Sequence, residues 1–153
     1  MWQVLFYSKE DGSSPVEAFL NSLPVKAKAK SAREIGLLQD FGSNLREPYS
    51  KHLSDGIFEL RIRFSGDNYR IFYFFCRGWT VILTNGFLKK TNKTPERELK
   101  KHLFIRRISK GDFLMRDFQD FLSENMKNPE FREQYDALEP RYAIIRAIIN
   151  ERI

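Results

Sequence analysis

Five basic side chains sit where they could act on one phosphate. Arg61 and Arg63 lie two apart in "GIFELRIRF", Arg70 interrupts the apolar run "YRIFYFF", and Lys89 and Lys90 follow "WTVILTNGF". Arginine suits bidentate contact with phosphate, and lysine acts as a point charge or, with a lowered pKa, as a proton carrier. Such a surface would hold a phosphodiester and stabilise the charge of a phosphorane-like transition state. RNA brings its own nucleophile, the 2′-hydroxyl, so positioning is a large part of the work and no metal or other cofactor is required. Lys51, His52 and Lys93 could join from the rim as RNA-binding groups. A histidine is the side-chain type best suited to a general base near neutral pH, which makes His52 a candidate. Glu59, between the arginines, is read most simply as their ion-pair partner. Each of these residues also has a plain reading, as a solvated sheet face, strand end or turn. Charge alone does not separate an RNA-cleaving surface from an RNA-binding one.

Other chemistries are poorly served. Two histidines and one cysteine give no zinc spacing. There is no P-loop, no dinucleotide glycine pattern and no Gly-x-Ser-x-Gly turn, and no carboxylate cluster suggests magnesium. Cys76 alone excludes an internal disulfide and fits a reducing, cytoplasmic setting. No apolar run approaches the ~20 residues of a membrane helix.

The elements that must position these residues follow from period and punctuation. "MWQVLFY" reads as an opening strand. Ser14-Pro15 with Glu17 starts a short helix, and Pro24 starts a longer one that Gly42 stops. Residues 43 to 55 read as a loop. In residues 56 to 64 the apolar set Phe58, Leu60, Ile62 and Phe64 alternates with Glu59, Arg61 and Arg63. "SGDN" and Arg77-Gly78 then turn the chain into two further strands, an antiparallel meander. Thr94-Pro95 launches a helix with acids early and lysines late, in which His102 has no evident role, and Gly111 breaks it. Residues 112 to 126 carry Phe118, Phe121 and Leu122 at helical spacing. Asn128-Pro129 and Pro140 start two more helices, the last with Tyr142, Ile145 and Ile149 on an apolar stripe.

Net charge is +6, unevenly shared: residues 1 to 110 hold 20 Lys/Arg against 11 Asp/Glu, and residues 111 to 153 hold 6 against 9. A basic body invites nucleic acid, and an acidic tail could compete with it.

"DGIFELRIRFSGDNYRIFYFF" followed by "VILTNGFLKKTNKTPEREL" resembles the HigB-type, phage-related branch of the RelE toxin superfamily, over residues 1 to about 105. The shared pattern is a Gly-hydrophobic-Glu-Leu-Arg strand, a Tyr-Arg strand and a Phe-x-Lys-Lys-x-x-x-x-Pro segment. The resemblance implies an α+β, RelE-like βααβββ(α) fold with a small antiparallel sheet. It also implies a ribosome-dependent endoribonuclease that cuts messenger RNA to a 2′,3′-cyclic phosphate. Arg61, Arg63, Arg70, Lys89 and Lys90 match its basic positions, which implies Arg61, Arg70, Lys89 and Lys90 as the catalytic set, Arg70 as the transition-state stabiliser and Arg63 as an RNA-binding residue. Lys51 or His52 is the remaining candidate for general base. "DFLSENMKNPEFREQYDALEPRYAIIRAIINERI" is similar to the N-terminal region of HigA-type antitoxins, before their helix-turn-helix. The expectation is therefore a toxin domain (1–110) joined to a truncated, helical antitoxin-like segment (111–153). That segment packs through Phe118, Phe121, Leu122, Tyr142, Ile145 and Ile149, on its own chain or exchanged within a homo-oligomer, and covers the lysines. A separate HigA-like antitoxin would be the other protein partner. The alternatives are a catalytically silent relic that only binds protein or RNA, and a ParE-like action on DNA gyrase, which shares the fold but not the lysine-rich segment.

Overall fold

A computed structural model describes residues 1–108 and 115–153 of the chain. The helix stop expected at Gly111 and the boundary between 110 and 111 lie outside the described residues. The elements run β1 (Gln3–Tyr7), α1 (Pro15–Asn21), α2 (Val25–Phe41), β2 (Ser50–Ser54), β3 (Ile57–Phe64), β4 (Asp67–Cys76), β5 (Thr80–Lys89), α3 (Glu96–Ile108), β6 (Met115–Asp117), α4 (Phe118–Asn125), α5 (Pro129–Ala137) and α6 (Glu139–Arg152). The fold is α+β, with a six-stranded sheet in the order β2-β3-β4-β5-β1-β6.

The punctuation works as local chemistry requires. Ser14 accepts a hydrogen bond from the Glu17 amide, with Pro15 opening α1. Asn128 caps α5 in the same way, ahead of Pro129. Gly42 ends α2 at φ 49°, in the left-handed region, with the Trp2 indole where a Cβ would go.

Three features differ from the expectation. The loop of residues 43 to 55 holds a strand, β2, hairpinned to β3 through Asp55 and Gly56, both at positive φ. Its sequence, "SKHLS", is that of a polar edge strand and carries little apolar signal. The sheet is mixed, because β1 enters beside β5 and parallel to it. Finally, residues 115–117 do not begin a helix: β6 pairs antiparallel with β1 and extends the sheet by a sixth strand.

Both faces of the sheet are covered at its centre. On one face α1 and α2 enclose a core that includes Val4, Phe6, Leu60, Ile62, Ile71, Tyr73 and Leu83. On the other, α3 lays Leu99 and Ile105 over apolar side chains such as Phe72, Phe74, Ile82 and Phe87. Cover on both sides explains why β4 reads as a nearly continuous apolar run rather than an alternating one.

The tail belongs to the first core. Phe118, Phe121, Phe131, Tyr142 and Ile149 are buried in the same cluster as Val4 and Phe6, with Leu122 and Ile145 packed against it. Several polar contacts join α4, α5 and α6 to α2. Arg33 donates to the Tyr135 carbonyl (2.8 and 3.1 Å), pairs with Glu139 and lies over the Tyr135 ring. Tyr142 donates to Glu34 (2.8 Å), and Lys28 bonds Asn125 above the Phe121 and Phe131 rings.

Candidate nucleic-acid cleavage site

The strand register builds the site. Across β3, β4 and β5, Arg61 stands opposite Arg70, and Arg70 opposite Phe87. The next row is Arg63, Asn68 and Lys89. Side chains two apart on a strand share a face, so both rows point to the side that carries α3. Helix α3 covers Phe72 and, at the β5 end of the next row, Phe87, and stops short of the basic side chains of the two rows. The result is a shallow groove of about 310 Å³ lined by Arg61, Asn68, Arg70, Lys89, Lys90, Thr91 and Asn92.

Like charges directly opposite on paired strands repel. Here Glu59 relieves them from one row away. It is 0% exposed, and its Oε1 accepts from Arg61 Nε at 2.9 Å. Arg70 Nε lies 3.5 Å from the same oxygen, an ion-pair contact that does not reach hydrogen-bond geometry. Arg70 is itself 8% exposed and donates from Nη1 to the Tyr69 carbonyl (3.1 Å). Because Glu59 engages the arginines through Nε, it sets the direction of both guanidinium forks. Burial pulls the Arg70 pKa down, Glu59 opposes that, and Arg61 and Arg63 add to it. The Lys89 ammonium is lowered by partial burial; Glu59 supports it, while Arg70, Arg61 and Lys51 oppose it. A lysine so placed gives up its proton more readily than a free one.

The rim residues divide. Lys51 pairs with Glu59 across β2 and β3, so it is on the groove's face, and it is exposed. His52 pairs with Phe58 and stacks on it at 4.7 Å between ring centroids, which puts it on the opposite face. The structure therefore does not bring His52 to the arginines, a correction that follows from β2 being a strand where a loop was expected. Lys93 lies exposed in the loop after β5, where its carbonyl accepts from Thr91.

Two features escaped the sequence reading. Asn68, opposite Lys89, adds a neutral amide to the groove. His102 is not the bland helix residue expected: it is 0% exposed, within a buried polar chain that ties α3 to β5. Thr84 donates to Asn85 Oδ1 (2.6 Å), so His102 Nδ1–H is the donor to Thr84 (2.9 Å), and Asn85 Nδ2 donates to the Glu98 carbonyl (3.2 Å). Burial, helped by Arg106, pushes the His102 pKa down to about 4, and the ring is neutral. Its spacing of three from both Leu99 and Ile105 was the signal that it lies on the apolar face of α3.

The tail does not cover the lysines. It packs on the α2 side of the sheet, and none of the groove's lining residues comes from 115–153. The acidic segment and the basic groove are on opposite faces. Among the described residues, no group of three or more His, Cys, Asp or Glu side chains is placed to hold a metal ion.

A family model described as "Phage derived protein Gp49-like (DUF891)" matches residues 18–103, which includes every residue of the groove. No curated protein matches the chain.

Proposed function

Since the chain belongs to the phage-derived Gp49-like family, a toxin-like group related to RelE, we propose that it is the toxin of a toxin–antitoxin pair, a ribosome-dependent endoribonuclease that cuts messenger RNA. The observation that carries this reading is the register of Arg61, Arg70 and Lys89 on one open sheet face, with buried Glu59 aiming both arginines.

In this reading the 2′-oxygen of the nucleotide before the cut forms a bond to phosphorus. The bond from phosphorus to the 5′-oxygen of the next nucleotide breaks. Arg61 and Arg70 donate to the non-bridging oxygens, whose charge grows in the transition state. Lys89 gives its proton to the leaving 5′-oxygen, and its lowered pKa suits that role. The groove is open, so water takes the 2′-proton; the exposed Lys51 ammonium stands on the same face beside it, and His52 points away. The products are a 2′,3′-cyclic phosphate and a 5′-hydroxyl end. The groove is too shallow to fix an RNA strand by its own walls, which favours a ribosome-held message as substrate. The tail leaves the groove open, so the full chain is active without its removal.

The test is a programmed ribosome carrying a message whose nucleotide at the cut lacks its 2′-hydroxyl. The unmodified message is expected to be cut to cyclic-phosphate and 5′-hydroxyl ends, and the deoxy message to survive. Cutting of the deoxy message, or 5′-phosphate ends, would contradict the chemistry. A full chain inert on both would support the silent, binding-only relic.

A further inference from the structure

A second basic hollow lies round the end of the sheet from the groove. It has a volume of about 330 Å³ and is bounded by α2, the turn between β3 and β4, and the corner of α5 and α6. Lys26 and Lys30, four apart on one face of α2, line it with Arg63 and Arg141, and Ser65 and Gln134 add neutral donors. No carboxylate is among its lining residues. Among the described residues, none of these four cations takes part in an ion pair, although ten such pairs occur elsewhere.

That arrangement leaves an excess of positive charge facing solvent. Lys30 donates to the Arg63 carbonyl, which fixes its ammonium at the hollow. Its pKa is lowered by burial first and then by Arg141, with Glu34 opposing and Arg63 adding a smaller effect. The fold thus holds four cations round one hollow with the buried Glu34 carboxyl behind Lys30 and Arg141, and such an excess of positive charge is how a protein surface concentrates phosphate. Arg63 joins the two sites: it faces this hollow and also stands in the row with Asn68 and Lys89.

We propose that this hollow is a second phosphate-binding site, holding the backbone of the same RNA strand whose scissile phosphodiester lies over Arg61 and Arg70. This rests on the RNA-cleaving reading. It also gives the tail a role opposite to inhibition, because Arg141 of α6 supplies one wall of the substrate track.

Binding of the full chain to single-stranded RNA, without ribosomes, tests it. Lys26 and Arg141 are exposed, so the double variant Lys26→Gln/Arg141→Gln leaves the core untouched. Fluorescence anisotropy would follow a trinucleotide and a dodecanucleotide over a range of salt concentrations. Each lost phosphate contact lowers the slope of log K against log salt by about 0.7 on single strands, so the double variant should lose about 1.4 on the dodecamer. The trinucleotide should bind unchanged, and Lys26→Gln/Arg141→Lys should recover about half of the lost slope. An unchanged dodecamer slope would overturn the second site, while Arg70→Ala would still slow cutting roughly 100- to 1,000-fold if the cleavage reading holds. Equal losses on both lengths would also overturn it, by placing these cations at the first groove. If the unaltered chain shows no salt-dependent binding to the dodecamer, the second site fails, while cutting of a ribosome-held message stands or falls on its own assay.

Discussion

Glu34→Gln should stabilise the protein above neutral pH and change little in acid. Glu34 lies on α2 under α6, 5% exposed, and its Oε1 accepts from Tyr142. Its Oε2 is buried with no hydrogen-bond partner among the described residues. Burial raises its pKa from 4.5 to about 7, against the opposing effects of the Tyr142 hydrogen bond, Lys30 and Arg141. The folded chain therefore holds this proton more tightly than the unfolded one. Wild-type stability is full below about pH 4.5, falls as pH rises through the window to about 7, and stays low above it. At 1.36 kcal/mol per pKa unit, the loss at pH 8 is about 3 kcal/mol at most. Glutamine keeps an acceptor for Tyr142 and carries no charge, so it removes most of that loss. It forgoes the attraction of Lys30 and Arg141, so a gain of about 1–3 kcal/mol is expected at pH 8 and close to none at pH 4.5. Guanidinium unfolding at the two pH values, with the m-value held as a check on two-state behaviour, measures the difference. Parallel stability curves for the variant and wild type would refute the reasoning: Glu34 would then be ionised without penalty, and α6 would not seal it.

His102→Gln should flatten the acid limb of the same stability curve. The folded pKa of His102 is about 4 against 6.5 unfolded, so wild-type stability is full above about 6.5 and is lost as pH falls towards 4, by about 3 kcal/mol at most. Gly42→Ala should cost at least about 1 kcal/mol in thermal unfolding, because a Cβ at φ 49° is strained and would run into the Trp2 indole.

Residues that answer to local rules were legible in the sequence. Ser14-Pro15, Pro24, Gly42 and Asn128-Pro129 mark real helix ends because capping and φ restriction act within a few residues. The alternation of residues 57 to 64 placed Glu59, Arg61 and Arg63 on one face, and the meander brought Arg70 and Lys89 alongside. What was missed depends on partners distant in sequence. The burial of Glu59 and His102 comes from α3 folding back over the sheet. Strand β2 is held by its pairing with β3 rather than by its own apolar content. Strand β6 exists because β1 leaves an edge free, and three residues ahead of a helix carry no period of their own. The location of the tail was the largest miss. Its apolar stripe shows that it must be buried, but not on which face; α2 presents the matching apolar surface, and the groove does not.

The central claim is that an open, Glu59-braced groove cuts RNA in the full chain, and the rate with Arg70 removed tests it most directly. Arg70→Ala should be compared with wild type in single-turnover cleavage of a ribosome-bound message, with thermal unfolding as the control for folding. The account predicts that the full chain cuts and that a folded Arg70→Ala variant cuts roughly 100- to 1,000-fold more slowly, the usual cost of one transition-state donor. A folded Arg70→Ala variant that cuts at the wild-type rate would contradict it and move the chemistry off this face.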